Sequence, residues 1–257
     1  MTVFRVRKRF FTVHGHGQRF YRSKSMTTKI WSEEELKEAS SGLEGKDPED
    51  AIRWAVENFY PDLALACSFG AEDVCLVDMQ TKINPRVKIF YLDTDLLFKE
   101  TYDIRDRLTK KYGISPIQYR PAMTLEEQAK AHGDKLWATN PDLCCKIRKI
   151  DPLLEALKGL RCWITGIRRE QAPTRANAPV VEWDKKFNLV KVNPLAMWTI
   201  NDVWNYIHKH DVPYNILHDR NYPSIGCAPC TKPVKSGEDP RAGRWAGFQK
   251  KECGLHK

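Results

Sequence analysis

The chain has no long apolar run. None approaches the ~20 residues a membrane helix needs, which argues against a helical membrane span. It has no internal repeat, which excludes solenoid and propeller architectures. No low-complexity tract appears beyond the N-terminal stretch. No segment reads as a secretory signal, so eight cysteines point to a reducing, cytoplasmic setting and make a disulfide framework the weaker reading. Acid is missing from residues 1–25, which carry Arg5, Arg7, Lys8, Arg9, Arg19, Arg22 and Lys24. Seven of the nine net positive charges therefore lie there, and the rest of the chain is nearly neutral. A general nucleic-acid surface is poorly supported by that balance. The basic stretch ends at Ser25 and Met26 follows. It reads as an over-long start, a disordered tail or an Arg-rich transit segment, and the first is preferred.

What is present is a soluble composition, 42% hydrophobic and 29% charged over 257 residues, enough to bury a sizeable core. From residue 30 helical and strand patterns alternate. Ser32-Glu33-Glu34-Glu35 is a capping box, and Asp47-Pro48 opens a helix with Ile52, Val56 and Phe59 on its apolar face. Leu63–Cys67, Val87–Leu92, Ile117–Tyr119 and Arg161–Gly166 read as strands. Helices are expected over about Glu72–Lys82, from Asp95 to Tyr112, and over Leu125–Ala131, Asp142–Leu157 and Thr199–His210. This alternation predicts an α/β fold, a parallel sheet covered by helices on both faces. Three segments follow: a basic extension (1–25), a nucleotide-binding-type domain (26–235) and a loop-rich mobile tail (236–257).

The first strand runs into Ser68-Phe69-Gly70 and then a helix, a turn where main-chain N–H groups favour an anion. It lacks the lysine of a Walker A loop and the glycine spacing of a dinucleotide fingerprint. Leu92-Asp93-Thr94 and Gly166-Ile167-Arg168 reach the same carboxyl edge, where open α/β sheets bind ligands. Arg168, Arg169 and Arg175 there suggest a phosphate or sulfate clamp.

Five cysteines carry the sharpest signal. Cys144-Cys145 and Cys227-x-x-Cys230 make a four-thiolate set, and Cys253 stands alone in Glu252-Cys253-Gly254-Leu255-His256. Adjacent cysteines in a regular helix point about 100° apart, so one centre needs a helix end or a distortion, and Pro141-Asp142 offers a helix start. Adjacency is unusual for structural zinc, whereas a [4Fe–4S] cubane offers separate corners. Lys146, Arg148 and Lys149 would offset its negative charge. Cys253 is placed as a nucleophile, with Lys250, Lys251 and His256 favouring its thiolate and Glu252 opposing it. Cys67, Cys75 and Cys162 read as core residues.

With these motifs, and Arg241-Ala242-Gly243-Arg244-Trp245, the chain resembles the assimilatory sulfonucleotide reductases from about Ala55 to His256. These are the iron–sulfur adenylyl-sulfate (APS) reductases and the related phosphoadenylyl-sulfate (PAPS) reductases. The resemblance implies an adenine-nucleotide α-hydrolase-like fold and a [4Fe–4S] cluster on Cys144, Cys145, Cys227 and Cys230. It implies that Cys253 attacks the sulfate sulfur of APS, and that thioredoxin or a similar dithiol protein then releases sulfite. Lys149, Arg168, Arg241 and Arg244 would hold the phosphosulfate, and Ser68, Phe69 and Gly70 would meet the nucleotide. PAPS or both nucleotides as substrate, and a homo-oligomer, stay open. A remoter alternative is a four-cysteine zinc protein that binds nucleic acid.

Overall fold

The computed structural model describes residues 29–248, 250 and 252–255. The basic segment 1–25 and the question of Met26 lie outside the described residues. The chain divides into Met1–Trp31 and Ser32–Lys257, and every element below belongs to the second unit.

Two helices lead in, α1 (Glu33–Leu43) and α2 (Pro48–Phe59). The expected capping box is formed: Glu35 N–H donates to Ser32 Oγ and Ser32 N–H to Glu35 Oε2. Ile52 and Phe59 are buried on α2 and Val56 is half-buried. The chain then alternates through β1 (Leu63–Ala66), α3 (Ala71–Ile83), β2 (Lys88–Leu92), α4 (Lys99–Tyr112) and β3 (Ile117–Tyr119). Three helices follow, α5 (Leu125–His132), α6 (Leu136–Thr139) and α7 (Pro141–Cys145). A π-helical turn, Lys146–Ile150, joins α7 to α8 (Asp151–Leu157). The last elements are β4 (Cys162–Ile164), β5 (Val181–Asp184), β6 (Leu189–Val192) and α9 (Ile200–Lys209). Among the described residues no helix is long and apolar enough to cross a membrane.

The six strands order as β3-β2-β1-β4-β6-β5. All neighbours are parallel except β5–β6, an antiparallel edge hairpin that the sequence reading had left out. Its pattern is obscured by Lys191, which sits opposite Glu182 in the ladder and is buried against it at 3.1 Å. One sheet face carries Ala64, Phe90, Trp163 and Leu189 under Leu153, Ala156 and Leu157 of α8. On the other, α2 and α3 pack against β1. Strand order reverses about β1, with β2 on one side and β4 on the other. Their carboxyl ends deliver Ser68–Gly70, Thr94 and Gly166–Arg168 to one crevice.

Candidate active site and thiol cavity

That crevice is a cavity of about 470 Å³, large enough for a nucleotide-sized ligand. Ser68, Phe69, Gly70, Lys149, Arg168, Arg241, Arg244 and Cys253 all reach its wall. The Ser68–Gly70 turn is tightly held. Phe69 adopts a left-handed φ of 62°, uncommon for a bulky residue. The turn is clamped by Asp73, one turn into α3, whose Oδ2 accepts from Ser68 N–H at 2.5 Å and Ser68 Oγ at 2.7 Å. Burial raises the Asp73 carboxyl to about 6, although its Ser68 bonds pull the other way. The sequence pattern alone assigns Asp73 no role. The fourth strand approaches so closely that a Cβ on Gly166 would fall 2.2 Å from Asp73 Oδ1. Gly166→Ala is therefore expected to cost about 1–3 kcal/mol. Thermal unfolding should show a Tm lower by about 2–4 °C for each kcal/mol.

The arginine loop does not form a three-arginine clamp. Arg169 turns away to Glu44 and the Ala178 carbonyl. Arg168 stays on the cavity wall but is spoken for. Its Nε and Nη2 both meet Glu72 Oε1 at 2.9 Å, and Nη1 meets Glu170 at 3.2 Å. Its charge is paired there, as that of Arg241 is with Glu252. Arg175 meets the tail instead: Glu252 is buried between Arg175 and Arg241.

Cys253 sits half-buried at the cationic end of the cavity. Burial alone would raise its thiol. The Lys149 charge, the Leu255 N–H and Arg244 overcome this and hold it below the ordinary thiol range. The activating cations thus come from distant segments rather than from sequence neighbours. Lys250 bonds Asp142, while Lys251 and His256 lie outside the described residues. Lys149 is itself kept charged: burial opposes its charge, but the negative charge of ionised Cys227, Cys253 and Cys145 outweighs it. Among the described residues it has no carboxylate within salt-bridge distance.

Cys144, Cys145, Cys227 and Cys230 line a second, smaller cavity, and all four thiols are free. Lys149, Arg244 and Trp245 border both cavities. The two adjacent cysteines end α7 where the π turn begins, so a distortion does accompany them, but after the pair rather than at Pro141. π turns of this kind occur often at functional sites. The C-x-x-C loop is fixed by Ala228 N–H donating to the Leu96 carbonyl and by Thr94 Oγ1 3.3 Å from Cys227 Sγ. Burial pushes Cys144 up to about 12 and Cys230 to about 11, with neighbouring thiols adding to both. Such thiols ionise together only if a cation compensates them.

Arg148 is fully buried beside them. It bonds Asp95 at 3.3 Å, while its Nε and Nη2 have no partner among the described residues. Buried donors facing four thiols suit an anionic group. Among the described residues no three His, Cys, Asp or Glu side chains are grouped to hold a single metal ion. Four sulfurs on one zinc would stand about 3.8 Å apart, given 2.3 Å bonds in a tetrahedron. Four thiols lining one cavity are a donor set of the kind that an iron–sulfur cluster takes. Cys75 and Cys162 are core residues as expected, and Cys67 borders the large cavity with its thiol pushed well up by burial.

The chain has known relatives. Residues 62–233 match the family model of the phosphoadenosine phosphosulfate reductase domain. An adenosine 5'-phosphosulfate reductase of Geobacillus sp. (strain WCH70) is 45% identical over 90% of this chain and 99% of its own. Its counterpart from Staphylococcus haemolyticus is 50% identical over 80% of this chain and 86% of its own. Among solved structures, a phosphoadenylyl-sulfate reductase from Candida auris in a phosphate complex superposes with a TM-score of 0.71 at 34% identity. It covers 80% of this chain and 100% of its own. An FMN adenylyltransferase from Candida glabrata shares the fold alone, with a TM-score of 0.53 at 14% identity. The fold is adenine-nucleotide α-hydrolase-like, and the chain belongs to the phosphoadenosine phosphosulfate reductase family.

Proposed function

We propose that this chain is an oxidoreductase of sulfate assimilation that reduces APS to sulfite and AMP, drawing electrons from a thioredoxin-type dithiol protein. The observation that carries this reading is Cys253, a thiol of lowered pKa held at the cationic end of a nucleotide-sized cavity. The named activity of relatives at 45–50% identity supports it.

In the first step the Cys253 thiolate attacks the sulfate sulfur. An S–S bond forms, the bond from sulfur to the phosphate oxygen breaks, and AMP leaves with that oxygen. Lys149, Arg241 and Arg244 hold the phosphosulfate and offset the charge that shifts onto the leaving phosphate. The Ser68–Gly70 turn, braced by Asp73, meets the nucleotide. In the second step a thiolate of the reductant attacks Cys253 Sγ and expels sulfite, leaving a mixed disulfide. The second reductant thiol resolves it and returns Cys253 as a thiolate. Sulfur goes from the +6 to the +4 state, and two thiols become one disulfide.

Cys144, Cys145, Cys227 and Cys230 would hold a [4Fe–4S] cluster. When bound, the group would supply net negative charge near Lys149. Lys149 and Arg244, which border both cavities, would offset that charge and the charge of the substrate sulfate.

Sulfite release from APS and from PAPS, measured in parallel with iron content on one sample, tests the proposal. About four irons per chain and dithiol-dependent sulfite from APS are expected. No sulfite from APS in the presence of iron and a dithiol would overturn it.

A further inference from the structure

The proposed chemistry makes opposite demands on one sulfur. Transfer of the sulfo group requires Cys253 inside the cavity. Discharge requires the same half-buried sulfur to meet a thiol on another protein. The tail must therefore be held for one step and freed for the other.

The residue before the nucleophile makes the contacts for such a hold. Glu252 is only 5% exposed and its carboxylate takes four donors. Oε1 accepts from Arg175 Nε at 3.0 Å and Thr174 Oγ1 at 3.2 Å. Oε2 accepts from Arg175 Nη2 at 2.8 Å and Arg241 Nη2 at 3.2 Å. The anchor is tied back to the sheet: Arg175 Nη1 donates to Gln171 Oε1 at 2.6 Å, and Gln171 Nε2 donates to the Gly166 carbonyl. Beyond Cys253, Lys186 Nζ donates to the Gly254 carbonyl at 2.5 Å, and Leu255 packs against the core under α8. Cys253 is thus pinned on both sides.

Glu252 does not activate the thiol, because its negative charge opposes the thiolate. Its contribution lies in where it places the next residue. A bidentate guanidinium–carboxylate pair fixes direction as well as distance. Resting on the proposed function, we infer that Glu252 is a positioning residue. Its pair with Arg175 and Arg241 latches the tail shut for sulfo transfer and must break for discharge. The latch separates the two half-reactions, so weakening it slows the first and spares the second.

The test uses the iron-loaded full chain and Glu252→Gln, which keeps shape and loses charge. Sulfo transfer is read in a single turnover with APS and no dithiol, by mass gain of one SO3 on the Cys253 peptide and by AMP release. Discharge is read separately, as sulfite released from the isolated adduct by a thioredoxin-type protein. Misplacing a reacting group by about 1 Å costs ~10²-fold, so transfer should slow roughly 10- to 100-fold. Discharge should be unchanged or faster. Arg175→Lys, which keeps the charge but loses the fork, should show the same split and serves if the first variant fails to fold. Equal losses in both steps, or unchanged transfer, would overturn the latch. If the wild-type chain forms no adduct on Cys253, the functional reading itself fails, an outcome distinct from failure of the latch.

Discussion

Cys253→Ser is expected to end sulfite release, with a loss of at least ~10³-fold, while nucleotide binding and iron content stay at wild-type levels. The substitution changes one atom in a half-buried side chain, so folding is not in question. The chemistry fails twice. A serine hydroxyl has no cationic shift large enough to ionise it near neutral pH, whereas Lys149 and Arg244 hold the thiol below its ordinary range. Even if the oxygen were sulfonated, the product would be a sulfate ester. A reductant thiol cannot form a disulfide with that oxygen, so no sulfite would leave. Assays of sulfite and AMP under single- and multiple-turnover conditions check both points. Sulfite production at the wild-type rate would remove Cys253 from the mechanism and return the search to the second cavity. Removing a sole nucleophile typically has an effect of this size, because its partners act only through it.

Much of the frame was legible in residue order, and what was not has physical causes. Strands β1, β2 and β4 are short apolar runs because both their faces are covered, and such runs announce themselves. The β5–β6 hairpin did not, because buried Lys191 interrupts its pattern and its neutralising Glu182 lies on the other strand. The site behaves in the same way. Motifs named residues of the right chemical type and brought Ser68–Gly70, Lys149, the tail arginines and Cys253 to one cavity. They did not reveal who pairs with whom. That Glu72 engages Arg168, that Glu252 is shared by Arg175 and Arg241, and that Gly166 must be small for Asp73 are facts of approach between distant segments. The charge around Cys253 illustrates the point. Its sequence neighbours suggested the thiolate stabilisers, yet Lys149, more than a hundred positions away, is the largest opposing influence to burial. The need for a distorted helix at Cys144-Cys145 was visible from 100° geometry. Its location in Lys146–Ile150 was not, since π turns carry no compositional mark.

Replacing one thiol of the quartet should also cut activity steeply, by a different route. Cys227 is the informative choice. It lies opposite Leu97 in a β-bridge, its carbonyl accepts from Thr231 Oγ1 at 2.9 Å, and Cys230 N–H donates to that carbonyl. The loop is therefore held by main-chain bonds that Cys227→Ser leaves intact, and a fall in activity would not reflect loss of the loop. A serine hydroxyl is a poor ligand for iron, so one corner of the proposed cluster is lost. Iron content and the brown colour should drop steeply, and sulfite formation by at least ~10²-fold with them. Of the remaining three, Cys144 and Cys145 are buried and Cys230 is half-buried, and burial raises Cys144 to about 12. Without the metal they revert to neutral thiols, and Lys149 loses the negative charge of its Cys227 and Cys145 neighbours. Arg148 is then left with buried donors facing no anion. The variant should consequently also unfold at lower temperature, a readout independent of activity. Iron analysis, visible absorption and thermal unfolding of wild type and variant settle the matter. A wild-type protein that is colourless and carries one zinc would contradict the cluster. A variant that keeps its iron would take Cys227 out of the ligand set and leave the three other thiols to be tested in turn.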